Sequence, residues 1–136
     1  MQAEARIRDY DIFCFNDEAV TEEAEQRAQA RIDDVLADLG VMVEAKNQAR
    51  VHLWYEDHFG FPYPQLASAR DGIDRFLVLA TCVGIRPRNS SFEVYAPNGL
   101  PVLYDGLLQP NPLTAHGSLF ERKARSYMDR WPWLRS

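Results

Sequence analysis

Alternation of apolar and polar positions is sharpest near the start of the chain, in RIRDYDIFCFN over residues 6–16. A period of two predicts a strand with Ile7, Asp9, Asp11, Phe13 and Phe15 on one face and Arg8, Tyr10, Ile12 and Cys14 on the other. Both faces are largely apolar, so the strand is expected to be buried on both sides, with two carboxylates interrupting one face at its beginning. The period then changes. Beyond the polar break at Asn16, Asp17 and Glu18, residues Ala24, Ala28, Ile32, Val35, Leu36 and Leu39 recur three and four apart. That spacing predicts a surface helix packed on a sheet, with Thr21 as N-cap, Glu22 and Glu23 in the first turn and Gly40 as the stop. Its charged side, with Glu25, Arg31, Asp34 and Asp38, reads as solvated.

Residues 41–46 predict a second strand, with Val41, Val43 and Ala45 on one side and Met42, Glu44 and Lys46 on the other. A helix between two strands suggests a parallel crossover, with an antiparallel pairing as the alternative. Asn47 is placed to cap a helix over residues 48–59, closed by Gly60 and apolar enough to be mostly buried. FPYP is a proline-ordered loop, followed by a short helix from Ser68. The apolar run 77–85 ends as a strand, 86–91 reads as a turn, and 92–96 pairs back as a hairpin. LPVLYDG forms a short helical turn, QPNP a rigid loop, and residues 118–131 a terminal amphipathic helix facing inward with Leu119, Ala124, Tyr127 and Met128.

Composition narrows the class. The chain has 136 residues, 46% hydrophobic and 26% charged, with no stretch long or apolar enough for a membrane span and no secretory pattern at its start. One α/β domain over residues 1–136, located in the cytoplasm, is the expectation. Cys14 and Cys82 sit in apolar runs and read as buried free thiols. A net charge of −5 argues against general nucleic-acid binding. It leaves room for a small anionic ligand in a local cationic pocket, for which Lys46, Arg50, Arg70, Arg75, Arg86 and Arg88 are available.

Candidate chemistry begins with Asp9 and Asp11. Two apart on a strand, their backbones lie roughly 6.5 to 7 Å apart, and their oxygens can converge on one Mg²⁺. The competing reading is two solvated acids at a strand's frayed start. In NQARVHLWY, residues Asn47, Gln48 and Arg50 read two ways: as contacts to a nucleotide or acceptor, or as a helix cap and partners for buried acids. His52 reads as a hydrogen-bonded, partly buried residue, and with Glu56 it makes an incomplete ligand pair. No phosphate-cradling glycine loop, dinucleotide fingerprint or nucleophile triad occurs.

RDYDIFCFND, then NQARVHLWY followed by FG and YP, then GIDRFLV, TCVGIRP, YAPNGL, LYDG and RWPWL occur in that order across residues 7–134. Together they resemble a bacterial nucleotidyltransferase-like family of the superfamily that includes DNA polymerase beta. The resemblance implies a mixed α/β (α+β) nucleotidyltransferase fold. It also implies Mg²⁺- or Mn²⁺-dependent transfer of a nucleotidyl group from a nucleoside triphosphate to an unidentified acceptor. In such proteins a D-x-D strand and an acid from a neighbouring strand hold the metals. Asp9 and Asp11 match the first two positions, and Glu44 is the candidate third, with a solvent-facing glutamate as its alternative. Family members carry a glycine-containing segment ahead of that strand, whereas no glycine precedes Gly40 here. The expectation is therefore either a start downstream of the natural one or a shortened protein. The alternative function is an inactive module binding a nucleotide or protein partner; a homo-oligomer or a completing partner chain is a third possibility.

Overall fold

The structure, a computed structural model, describes residues 7–114 and 116–136; Arg6, at the head of the expected opening strand, lies outside them. The chain divides into two units, residues 1–69 and 70–136.

In the first unit, β1 (Tyr10–Cys14) pairs in parallel with β2 (Val43–Asn47). The crossover between them is helix α1 (Glu22–Val35). Thr21 caps it as expected, with the Ala24 N–H donating to Thr21 Oγ1 at 3.2 Å. The helix stops at Val35 rather than Leu39: residues Ala37–Leu39 tighten into a 3-10 turn, and Gly40 closes it at φ 64° in the left-handed region. A second 3-10 turn, Gln48–Arg50, capped by Asn47, leads into α2 (Val51–Phe59), which ends at Gly60.

α1 runs along the outer edge of β2. Tyr10 N–H bonds Met42 O, so the even-numbered residues of β2 turn their peptide groups toward β1 and the odd-numbered ones turn theirs outward. Gln29 meets that outward edge: its Oε1 accepts the Ala45 N–H at 2.8 Å and its Nε2 donates to Val43 O at 2.7 Å. One helical turn earlier, Glu25 Oε2 accepts the Asn47 N–H at 2.9 Å. Two side chains thus stand in for a neighbouring strand.

The burial expected for β1, for the Cys14 thiol and for α2 needs correction. β1 is not buried on both faces: Tyr10 is 48% and Ile12 44% exposed, and Cys14 is exposed too. Among the described residues β1 pairs with β2 alone, and double-sided burial needs helices over both faces, whereas α1 covers an edge. α2 is not mostly buried, since only Val51 is fully enclosed and Leu53 is 55% exposed. Its aromatic side packs instead on the proline-ordered loop, with the Tyr55 ring 4.4 Å from Tyr63, and within the helix 4.7 Å from Phe59.

The second unit opens with α3 (Ala69–Asp74), whose first residue closes the first unit. The hairpin β3 (Gly84–Arg88) and β4 (Ser91–Tyr95), α4 (Pro101–Tyr104) and α5 (Gly117–Arg130) follow. The expected six-residue turn contracts, because Arg86, Pro87 and Arg88 belong to β3 and Asn89 takes the tight turn at φ 55°. Val78, Ala80, Leu108 and Ala124 form the core, with Phe120, Tyr127, Met128 and Leu134 packed against it. Gly106, at φ 69°, lets Trp133 lie against the backbone, where a Cβ would stand 2.8 Å from the indole Cζ3. The buried Asn111 of QPNP ties the unit together by donating from Nδ2 to Asp74 O at 2.6 Å and Phe76 O at 2.9 Å.

Candidate metal centre

Asp9 and Asp11 lie on one face by strand alternation, Asp9 just ahead of β1 and Asp11 within it. The parallel register sets Glu44 beside Asp11, so the three acids share that face. One carboxylate oxygen from each lies within 4.8 Å of the others; Asp9 and Glu44 are half-buried and Asp11 is exposed. Three carboxylates this close repel one another, and an all-oxygen set is the donor chemistry that hard divalent ions such as Mg²⁺ and Mn²⁺ prefer. Lys46, two residues along the same face, stands 3.7 Å from Glu44 Oε2, the two side chains being 46% and 42% exposed. An exposed pair of that length holds Glu44 only weakly.

Asn47, Gln48 and Arg50 lie at the other end of the strand pair. Asn47 is in register with Cys14, three residues past Asp11 and so about 10 Å further along β1. Its side chain is fully engaged: Oδ1 accepts the Asn16 N–H at 3.0 Å and the Ala49 N–H at 3.1 Å, and Nδ2 donates to Asn16 O at 2.9 Å and Ala19 O at 3.0 Å. Gln48 is buried, its Nε2 donating to Lys46 O at 3.3 Å. Arg50 donates to Glu25 Oε1 at 2.7 Å and to Val20 O at 3.2 Å. The acids converge; these three residues do not join them.

A nucleotidyltransferase family model matches residues 1–136. The chain belongs to that nucleotidyltransferase family. Among solved structures, it is similar to one determined by NMR and described as revealing a CCA-adding enzyme head domain. The TM-score is 0.73 at 22% identity, over 93% of this chain and 65% of that one. At that identity the likeness shows a shared fold, the nucleotidyltransferase-like mixed α/β fold expected from the sequence. No curated protein matches.

For this nucleotidyltransferase-family chain, two residues that hold the site's frame escaped the sequence reading. Glu25, expected on the solvated side of α1, is half-buried and binds the end of β2 and Arg50 together. Gln29 was not singled out at all. Their i, i+4 spacing beside the apolar stripe, continued by Asp33, whose carboxylate accepts from Gln29 Nε2 at 2.8 Å, was the available signal. His52 also differs from expectation: its Nδ1 is buried with no hydrogen-bond partner among the described residues. None of those residues contains a helix long and apolar enough to cross a membrane.

Proposed function

We propose that this chain carries out metal-dependent nucleotidyl transfer from a nucleoside triphosphate to an acceptor, with Asp9, Asp11 and Glu44 holding Mg²⁺ or Mn²⁺. The observation that carries this reading is the convergence of three carboxylates from two strands in a member of a nucleotidyltransferase family. A metal bound there supplies charge neutralisation for the triphosphate and activation of the acceptor oxygen. The protein's part is to hold three oxygen donors close together, Asp11 being the most exposed of them. Lys46 Nζ, 3.7 Å from Glu44 Oε2, would share that carboxylate with a bound cation. Asn47, Gln48 and Arg50 keep the end of β2 in place, which makes their contribution to substrate binding indirect.

Calorimetric titration of each nucleoside triphosphate, with and without Mg²⁺ or Mn²⁺, tests this in the wild type and in Asp9→Ala/Asp11→Ala checked for folding by circular dichroism. Metal-dependent binding that is lost in the variant is the expected result. Nucleotide binding that is metal-independent and equal in the variant transfers the case to a non-catalytic nucleotide-binding module. Absence of any binding by the wild type removes the transferase reading.

A further inference from the structure

In the second unit, the charged face of the β3–β4 hairpin gathers three arginines on one carboxylate. By the hairpin register, Arg86, Arg88 and Glu93 share a face with Tyr95, while Ile85, Pro87, Phe92 and Val94 occupy the opposite one. Glu93 Oε1 accepts from Arg70 Nη2 at 2.6 Å. Its Oε2 accepts from Arg86 Nη2 at 2.9 Å, Arg88 Nη1 at 3.0 Å and Arg86 Nε at 3.2 Å. The carboxylate takes four bonds, three of them on Oε2, but each guanidinium has five N–H donors, so most of the donors are left over. Arg86 and Arg88 are each 66% exposed at the side chain, and Arg70 is 54% exposed.

Stabilising the hairpin does not require this arrangement. One arginine suffices to pair Glu93, whose side chain is 21% exposed, and a second and third cation on the same anion add mutual repulsion. Behind the arginines, Tyr95 lies under Arg70, whose Cζ is 5.0 Å from the ring centroid, and its hydroxyl donates to Asp74 at 2.6 Å. Asp74 is thereby turned toward the tyrosine, with Asp71 a second acid near that ring. A cluster with more guanidinium than carboxylate, facing water on a ribbon, is complementary to phosphate oxygens, which the planar guanidinium fork binds in pairs.

We propose that the Arg70, Arg86 and Arg88 face of the hairpin is a phosphate-binding patch. It deepens the proposed transfer reaction by giving phosphate groups of a substrate, either an oligonucleotide acceptor or the triphosphate itself, a docking point on the second unit. Arg86 and Arg88, two apart on an extended strand, lie roughly 6.5 to 7 Å apart at the backbone, a spacing that lets each take its own phosphate. Net charge of the whole chain is −5, so such binding is local and steeply salt-dependent.

The test is fluorescence anisotropy with a labelled single-stranded oligonucleotide, and calorimetry with ATP, both in EDTA at low salt so that the acid cluster takes no part. The proteins compared are the wild type, Arg86→Ala/Arg88→Ala, and an equal-charge control, Arg122→Ala/Arg125→Ala, on exposed positions of α5. At least one probe should bind about tenfold more weakly to the hairpin variant and within about twofold of wild type to the control. For the oligonucleotide, losing two phosphate contacts flattens the slope of log K against log salt by about 1.4. Loss of oligonucleotide binding alone makes the patch an acceptor site, and loss of ATP binding alone makes it a triphosphate site. The proposal is overturned if the wild type binds neither probe, or if the hairpin and α5 variants weaken binding equally.

Discussion

One amide, that of Asn47, joins the end of β2 to the segment leaving β1 and starts the turn into α2, using both of its donor hydrogens and two acceptor positions. Asn47→Ala strands those buried partners, and we expect a loss of about 2 kcal/mol, read as a lower urea midpoint at unchanged m-value. Glu93 is governed by its neighbours in another way. Hydrogen bonds from Arg86 and Arg88 hold its carboxyl below the usual glutamate range. A depressed carboxyl pKa stabilises the fold above the unfolded value, and that contribution disappears as pH falls through the folded one. An NMR titration should therefore find a Glu93 midpoint below that of a free glutamate and find it moving upward in Arg88→Ala. Tyr95 shifts oppositely: its bond to Asp74 pushes it up to about 12, so its contribution persists below pH 10 and fades as pH rises through 12. Thr21, Gly40 and the Asp9/Asp11 pair were legible in sequence because a cap, a stop and an alternation are local patterns. Glu25 and Asn47 were only partly so, because their partners lie 22, 25 and 31 residues away.

Among the elements, α1 gains its position less from apolar burial than from polar side chains on a strand edge. None of its residues is fully buried, whereas Gln29 and Glu25 bond three outward-facing peptide groups of β2. An uncovered edge of β2 would be open to pairing with another chain. Gln29→Ala should therefore accelerate amide exchange at Ala45 selectively and raise the tendency to aggregate, with the N–H of Glu44, directed at β1, changing less. The parallel crossover was readable because a strand, an amphipathic helix and a second strand in succession favour it. Which side of β2 the helix would follow was not readable, since the apolar stripe points to a sheet face and the deciding contacts are polar. The hairpin was anticipated, but its charged face was hidden by reading residues 86–91 as a turn. Once the turn contracts to Asn89 and Ser90, with Asn89 at positive φ, Arg86 and Arg88 become strand residues and align with Glu93.

Across the whole chain, the two cysteines report the two units separately. Cys14 is exposed; Cys82 is buried, with burial pushing its thiol pKa up and Asn111 Nδ2 3.5 Å from its sulfur. A thiol reagent should label Cys14 alone in the native protein and both in denaturant, and Asn111→Ala should make Cys82 reactive by loosening the second unit. Under the proposed function, a metal at one hundred times its Kd stabilises the first unit by about 2.7 kcal/mol, a rise in its melting temperature that Asp9→Ala/Asp11→Ala abolishes.

The register of β1 against β2 carries a consequence for folding itself. Side chains alternate between faces, so pairing one residue out of step would bring Val43 or Ala45 to the place beside Asp11 and send Glu44 to the far side. Gln29 grips the peptide groups on either side of Glu44, at Val43 and Ala45, which is where a slip would first be felt. Three carboxylates that meet only when two strands align make a proofreading mark for the alignment. Under the proposed function, the fraction of refolded molecules able to hold a divalent ion would count the chains that paired correctly.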